Sequence, residues 1–139
     1  PKGRRDFSLQ TSLTMRRLLR MIVTDGTGRK AEAPGIRVGG KTGTAEKPGI
    51  GGYSKTVNVS TFAAVFPMDA PRYVVIAMLD APKGTAESFG LTTAAYTAAP
   101  VVSNVISRTG PMLGVFPDKN REVNFAGLDA MLWKPKGEE

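Results

Sequence analysis

The chain has neither cysteine nor histidine. The first absence excludes a disulfide framework, a thiolate nucleophile and any Cys-rich metal site. The second excludes Ser-His-Asp and Cys-His catalysis and removes the commonest nitrogen ligand for zinc. Acid–base work must therefore fall to lysine, carboxylate or hydroxyl groups. No apolar run approaches the roughly 20 residues of a membrane-spanning helix, and no basic stretch followed by an apolar one opens the chain. Aromatic residues are few, at 7%, and do not interleave with the basic residues as a stacking ladder for single-stranded nucleic acid would. The net charge of +7 would suit phosphate binding on its own. A carboxylate-bearing partner or an anionic membrane surface accounts for it as well, and nucleic acid is not expected as a partner. Arg16, Arg17 and Arg20 fall on the polar side of a predicted helix, where a solvated face is the ordinary reading.

The 139 residues, 41% hydrophobic and 22% charged, suffice for one core: one domain, or part of one. The opening Pro1-Lys2-Gly3-Arg4-Arg5 has no initiator methionine and reads as trimmed from a longer polypeptide, with any anchor or signal outside it. Met15, Leu18, Leu19 and Ile22 repeat at i, i+3, i+4, i+7 and predict a helix from about Ser12, its N-cap, to Thr24, with Gly26 as terminator and the apolar stripe on a core. Ile36 and Val38 start a strand running into Gly39-Gly40-Lys41-Thr42-Gly43-Thr44. Between Glu46 and Tyr53, Pro48, Gly49, Gly51 and Gly52 predict a loop. Alternation resumes from Val57 to Phe66, and Pro67 to Pro71 makes a tight connection. The run Tyr73 to Leu79 is apolar throughout, as in a strand covered on both faces. These strands form an antiparallel sheet, and the fold class is α+β with helices packed on the sheet's faces. With only two clear helices to cover such a sheet, the chain alone should expose apolar surface and dimerise, swap elements or stay with the remainder of its domain. Ala95, Ala98, Val102, Val105 and Ile106 predict a second helix, which Pro100 either kinks or delays and Gly110-Pro111 ends. Residues 118–139 read as a C-terminal tail, disordered or docked on a partner, with an apolar Met131-Leu132-Trp133 patch; Trp133 either anchors a partner or has no role.

One lysine carries two readings. Gly35 to Thr42 satisfies the P-loop pattern G-x-x-x-x-G-K-[ST], and Val74 to Asp80 imitates the apolar strand whose terminal aspartate holds magnesium. A P-loop needs a strand before its first glycine and a helix from its lysine, so that loop amides and helix N-terminus bind phosphate. Ala31-Glu32-Ala33-Pro34 is no buried strand, and Gly43, Pro48, Gly49, Gly51 and Gly52 forbid the helix. The other reading puts Lys41-Thr42-Gly43-Thr44 on a strand edge facing a cleft, with Lys41 and Gly43 on one side and Thr42 and Thr44 on the other. Such an edge offers an ammonium, two hydroxyls and free backbone groups, and Gly43 lets a ligand approach closely. These groups can hold a carboxylate-terminated peptide and stabilise an oxyanion.

Val38-Gly39-Gly40-Lys41-Thr42-Gly43-Thr44-Ala45-Glu46, the hairpin ending Ala63-Ala64-Val65-Phe66-Pro67 and the helix with Ala98-Ala99-Pro100-Val101 together resemble the C-terminal part of a class B penicillin-binding protein. The division-specific septal D,D-transpeptidases are the nearest group. Lys-Thr-Gly belongs to the signature set of penicillin-binding proteins and class A β-lactamases. The resemblance covers Ser12 to about Pro117, and it sets 1–117 as part of a transpeptidase domain. It implies that Lys41 supplies positive charge to the cleft and that the Thr42 and Thr44 hydroxyls bind the D-Ala-D-Ala or β-lactam carboxylate. The Thr44 amide would be an oxyanion donor, making Lys41 and Thr44 the catalytic contributors.

The family's serine nucleophile, its partner lysine and its Ser-x-Asn element have no match: no serine precedes a lysine by three residues, and none opens a Ser-x-Asn triplet before Lys41. The chain alone is expected to be inactive. Tyr53 either walls the cleft or caps a surface; Glu46 and Lys55 read as solvated charges, and Asp80 and Glu87 as structural. No metal or organic cofactor is implied. The implied partners are a peptidoglycan stem peptide or β-lactam, the N-terminal remainder of the domain and other division proteins, at the periplasmic face of the bacterial inner membrane. The alternatives are a non-catalytic peptide-binding or regulatory module, and a P-loop nucleotidase.

Overall fold

The computed structural model describes residues 3–128, other than the side chains of Lys55 and Thr56. Met131, Leu132 and Trp133 lie outside the described residues. Helix α1 spans Leu9–Thr24 and strands β1, β2 and β3 span Gly39–Gly49, Gly52–Phe66 and Tyr73–Asp80; helix α2 spans Ala98–Thr109. Short 3₁₀ turns at Arg29–Ala31 and Pro111–Leu113 follow the two helices. The strands form one antiparallel sheet in the order β1-β2-β3, so the α+β class holds.

Helix α1 begins earlier than its periodicity suggests. The cap is Ser8, whose hydroxyl accepts the Thr11 N–H at 3.0 Å, while Ser12 lies inside the helix. The expected stripe is also not the buried one. Met15 is 50% exposed, whereas Arg20, Met21 and Val23 are the buried positions. Arg20 thus departs from the solvated face expected of it: carboxylates and a carbonyl meet its guanidinium inside the structure, which makes burial tolerable for a cation.

The hairpin is longer than its glycine and proline content suggests. Strand β1 runs through Pro48 to Gly49, and only Ile50 and Gly51 turn, with Gly51 at φ +89° and Gly52 at φ +134°. Pro48 is accommodated at a register shift between Glu46 and Pro48 on the outer strand, where its missing N–H breaks no inner ladder. Strand β1 starts at Gly39; Ile36 and Val38 precede it as buried extended residues.

Ser60, Phe62, Ala64 and Phe66 of β2 form the buried face. Against it pack Ala98, Ala99, Val102 and Ile106 of α2, together with Val23, Ile36 and Val38. Complete burial of a side chain such as Phe62 contributes about 1.5–3 kcal/mol. Pro100 sits in the first turn of α2, where its missing N–H has no intrahelical partner to lose, so the helix starts late rather than kinking. The opposite face of β3 is open: Val74, Ile76 and Met78 are 66–70% exposed. The two-sided cover inferred from the all-apolar run is absent from the described residues.

Residues 118–128, read as a tail, lie against their own chain. Asp118 N–H donates to Gly35 O at 2.8 Å, Glu122 pairs with Arg20, Arg121 pairs with Asp69, and Leu128 is buried.

Candidate functional site

Among the described residues strand β1 is the outermost strand on its side of the sheet, and parity tells which of its backbone groups face away from β2. Asn58 O accepts the Ala81 N–H at 2.9 Å, so the Asn58 backbone faces β3. Alternation then turns Ser60, Phe62 and Ala64 toward β3 and Val59, Thr61, Ala63 and Val65 toward β1. Their register partners Ala45, Gly43, Lys41 and Gly39 therefore spend their backbone groups on β2. The amides and carbonyls of Thr42 and Thr44 are left directed at the open edge. Arg37 O, which accepts the Met68 N–H at 2.8 Å, obeys the same parity.

Side chains on this edge divide as alternation requires. Thr42 and Thr44 oppose Phe62 and Ser60 and share the core face, while Lys41 and Gly43 oppose Ala63 and Thr61 on the other. Lys41 is exposed, yet its Nζ wraps over the edge to donate to Thr42 O at 2.8 Å and Thr42 Oγ1 at 3.2 Å. Thr42 Oγ1 is also 3.3 Å from Thr27 Oγ1. Thr44 Oγ1 accepts the Ala94 N–H at 3.1 Å. Lys41, Thr42, Gly43 and Thr44 thus form one patch with a cation, two hydroxyls and the two outward-directed amides of Thr42 and Thr44. A Cβ built on Gly43 would meet nothing closer than 3.8 Å, whereas one on Gly40 would lie 2.5 Å from Ala63 O and 2.6 Å from the Phe62 ring. Gly40 is therefore required by packing, and Gly43 is not.

Tyr53 is not brought to this patch along the strand. It pairs with Pro48, four residues or about 13 Å beyond Thr44, and is 72% exposed. Glu46 is exposed, Asp80 pairs with Lys47 at 2.7 Å, and Glu87 accepts from Thr85 Oγ1 at 2.9 Å. The P-loop reading fails on structure: a 3₁₀ turn, not a strand, precedes Gly35, and Lys41 lies inside β1 where a P-loop needs a helix N-terminus. Asp80 does end β3, but its partner is Lys47.

Sequence reasoning missed the groups that hold this edge in place. Arg20 donates to Val38 O at 2.9 Å, just ahead of β1, and to Glu32 and Glu122. Burial pushes the Arg20 guanidinium down, but hydrogen bonds and charge from Glu122 and Glu32 outweigh it and raise its pKa. Arg37 forks onto both Asp69 oxygens at 3.1 and 3.2 Å, and Arg121 joins at 2.8 Å. Burial raises the Asp69 carboxyl, and the Arg37 hydrogen bonds, its own backbone and the Arg37 and Arg121 charges more than reverse this, holding it below the usual carboxylate range. The only sequence signal for Arg20 was its place beside Met21 and Val23, and nothing in the sequence names its partners.

Residues 1–106 match the family described as penicillin binding protein transpeptidase domain. The chain is similar to the probable peptidoglycan D,D-transpeptidase FtsI of Caulobacter vibrioides, 48% identical over 124 residues, covering 83% of this chain and 21% of that protein. Among solved structures it resembles the apo transpeptidase domain of Burkholderia pseudomallei penicillin-binding protein 3. That match has a TM-score of 0.72 and 35% identity over 85% of this chain and 34% of that one. It also resembles penicillin-binding protein 3 of Mycobacterium tuberculosis complexed with ampicillin, with a TM-score of 0.68 and 32% identity over 84% of this chain and 28% of that one. The chain spans about a fifth of the length of the curated relatives it matches.

Proposed function

Because the chain belongs to the penicillin-binding-protein transpeptidase family, we propose that it supplies the substrate-binding edge of a serine-type peptidoglycan D,D-transpeptidase. Residues 1–117 are then the C-terminal part of the transpeptidase domain, and the nucleophilic serine and Ser-x-Asn element come from the rest of that domain. The serine oxygen attacks the penultimate D-Ala carbonyl and forms an ester as the terminal D-Ala leaves with a proton. An amine of a neighbouring stem peptide then displaces the serine and completes the cross-link. A β-lactam enters the same path and stays as the ester; the mycobacterial relative is described in complex with ampicillin.

Within that reaction Lys41 provides positive charge, Thr42 and Thr44 donate hydroxyls to the ligand carboxylate, and the Thr44 amide stabilises the oxyanion. The observation that carries this reading is the outer edge of β1, where the Thr42 and Thr44 backbone groups face outward beside the Lys41 ammonium. An extended peptide can add to such an edge as a further strand. Among the described residues no helix is long and apolar enough to cross a membrane. The relatives' names as peptidoglycan enzymes fit extracytoplasmic action, and we place the protein at the periplasmic face of the inner membrane, anchored by a segment outside this chain and working with other division proteins.

The test is Lys41→Ala in the full-length protein. Losing one charge-assisted interaction of about 1.5–3 kcal/mol should lower β-lactam acylation efficiency roughly tenfold to 150-fold, with the fold intact by circular dichroism. Acylation at the wild-type rate would remove the assignment, and a full-length protein that no labelled penicillin modifies would be a binding module instead.

A further inference from the structure

Thr44 and Ser60 oppose each other across β1 and β2 and lie on the same face. Both hold the same stretch of the connection between β3 and α2. Ser60, fully buried, donates to Thr92 O at 2.6 Å, and Thr92 Oγ1 accepts from Asn58 Nδ2 at 2.9 Å. Two residues on, the Ala94 N–H donates to Thr44 Oγ1 at 3.1 Å, and Ala94 is itself fully buried. A serine buried among Phe62, Ala64 and Phe66 needs an acceptor for its proton, and of the two in reach, Asn58 Oδ1 at 3.2 Å and Thr92 O at 2.6 Å, the shorter contact is to Thr92 O.

A threonine hydroxyl has one proton and two lone pairs. With the Ala94 N–H occupying a lone pair of Thr44 Oγ1, the hydroxyl proton must be given to another acceptor, and Thr44 is exposed at the edge where a ligand would lie. We propose that Ser60 is a positioning residue for ligand carboxylate recognition. By anchoring residues 92–94 it keeps the Ala94 amide on Thr44 and so fixes the Thr44 hydroxyl as a donor. Ser60 does not touch the ligand, because it is buried beneath the segment it holds. Without it, Thr92 O keeps only the long contact from Thr97 Oγ1 at 3.5 Å, the segment relaxes, and the Thr44 hydroxyl is free to satisfy itself on neighbouring protein oxygens. The inference rests on the reading of Thr44 as a carboxylate ligand.

The experiment separates ampicillin binding from acylation by stopped flow, using the full-length protein as wild type, Thr44→Val, Ser60→Ala and the double variant. Thr44→Val should weaken the non-covalent binding constant about tenfold, the worth of a hydrogen bond to a charged group. Ser60→Ala should weaken it about three- to tenfold with the acylation step within about twofold, and should add nothing in the Thr44→Val background. A merely structural serine would lose the same factor in both backgrounds, and that outcome overturns the proposal, as does wild-type binding by Ser60→Ala. Thr92→Val, which removes the Asn58 acceptor, should show the same dependence on Thr44 and substitutes if Ser60→Ala does not fold. If Thr44→Val itself binds ampicillin normally, the carboxylate role of Thr44 is wrong and the inference falls with it.

Discussion

Replacing Arg20 by methionine in the full-length protein tests how the outer edge of β1 is held. The guanidinium side chain is 4% exposed, and it bonds Glu32, Glu122 and the Val38 carbonyl that leads into β1. Removing one partner of a buried ion pair costs about 3–5 kcal/mol, chiefly because the orphaned charge stays buried. Here the orphans are not deeply buried: the Glu32 and Glu122 side chains are 34% and 45% exposed and can rehydrate. That argues for the low end, about 3 kcal/mol, of which Val38 O accounts for about 1. Glu122→Gln keeps a neutral acceptor and leaves the Glu32 pair intact, so it should cost about 1 kcal/mol or less. Urea denaturation at constant slope measures both. An Arg20→Met variant destabilised by less than about 1 kcal/mol, or by no more than Glu122→Gln, would refute the claim that Arg20 anchors the start of β1.

Asp69 has its folded-state pKa depressed, so it contributes stability that is present above the unfolded carboxylate range and lost as pH falls through the folded value. Asp69→Asn should therefore flatten the acid limb of the stability curve below about pH 4, read by acid titration of circular dichroism. The two glycines of the edge should separate: Gly40→Ala, with its Cβ against Ala63 O, should destabilise by about 1–3 kcal/mol in denaturant titration. Gly43→Ala has room in this chain and should keep its stability while losing β-lactam acylation.

The sequence by itself determined the family and the order of parts. The absence of cysteine and histidine excluded whole classes of mechanism, and the alternation around Phe62 and the glycines after Lys41 specified an antiparallel edge strand and excluded a P-loop. The Lys-Thr-Gly element with its flanking hairpin and helix pointed to the family. These features are local, set by side-chain period and backbone freedom over a few residues.

Tertiary structure alone decided which faces are buried and what holds the edge. The Met15 stripe has the helical period but remains half exposed, because period shows that a face exists and not which element covers it. The apolar run in β3 gave no sign that Val74, Ile76 and Met78 stay open among the described residues. Pairings such as Arg20 with Glu122, 102 positions apart, and Ser60 with Thr92, 32 apart, depend on long-range packing. No local pattern records them, since a charge or hydroxyl looks the same in a sequence whether water or a buried partner satisfies it.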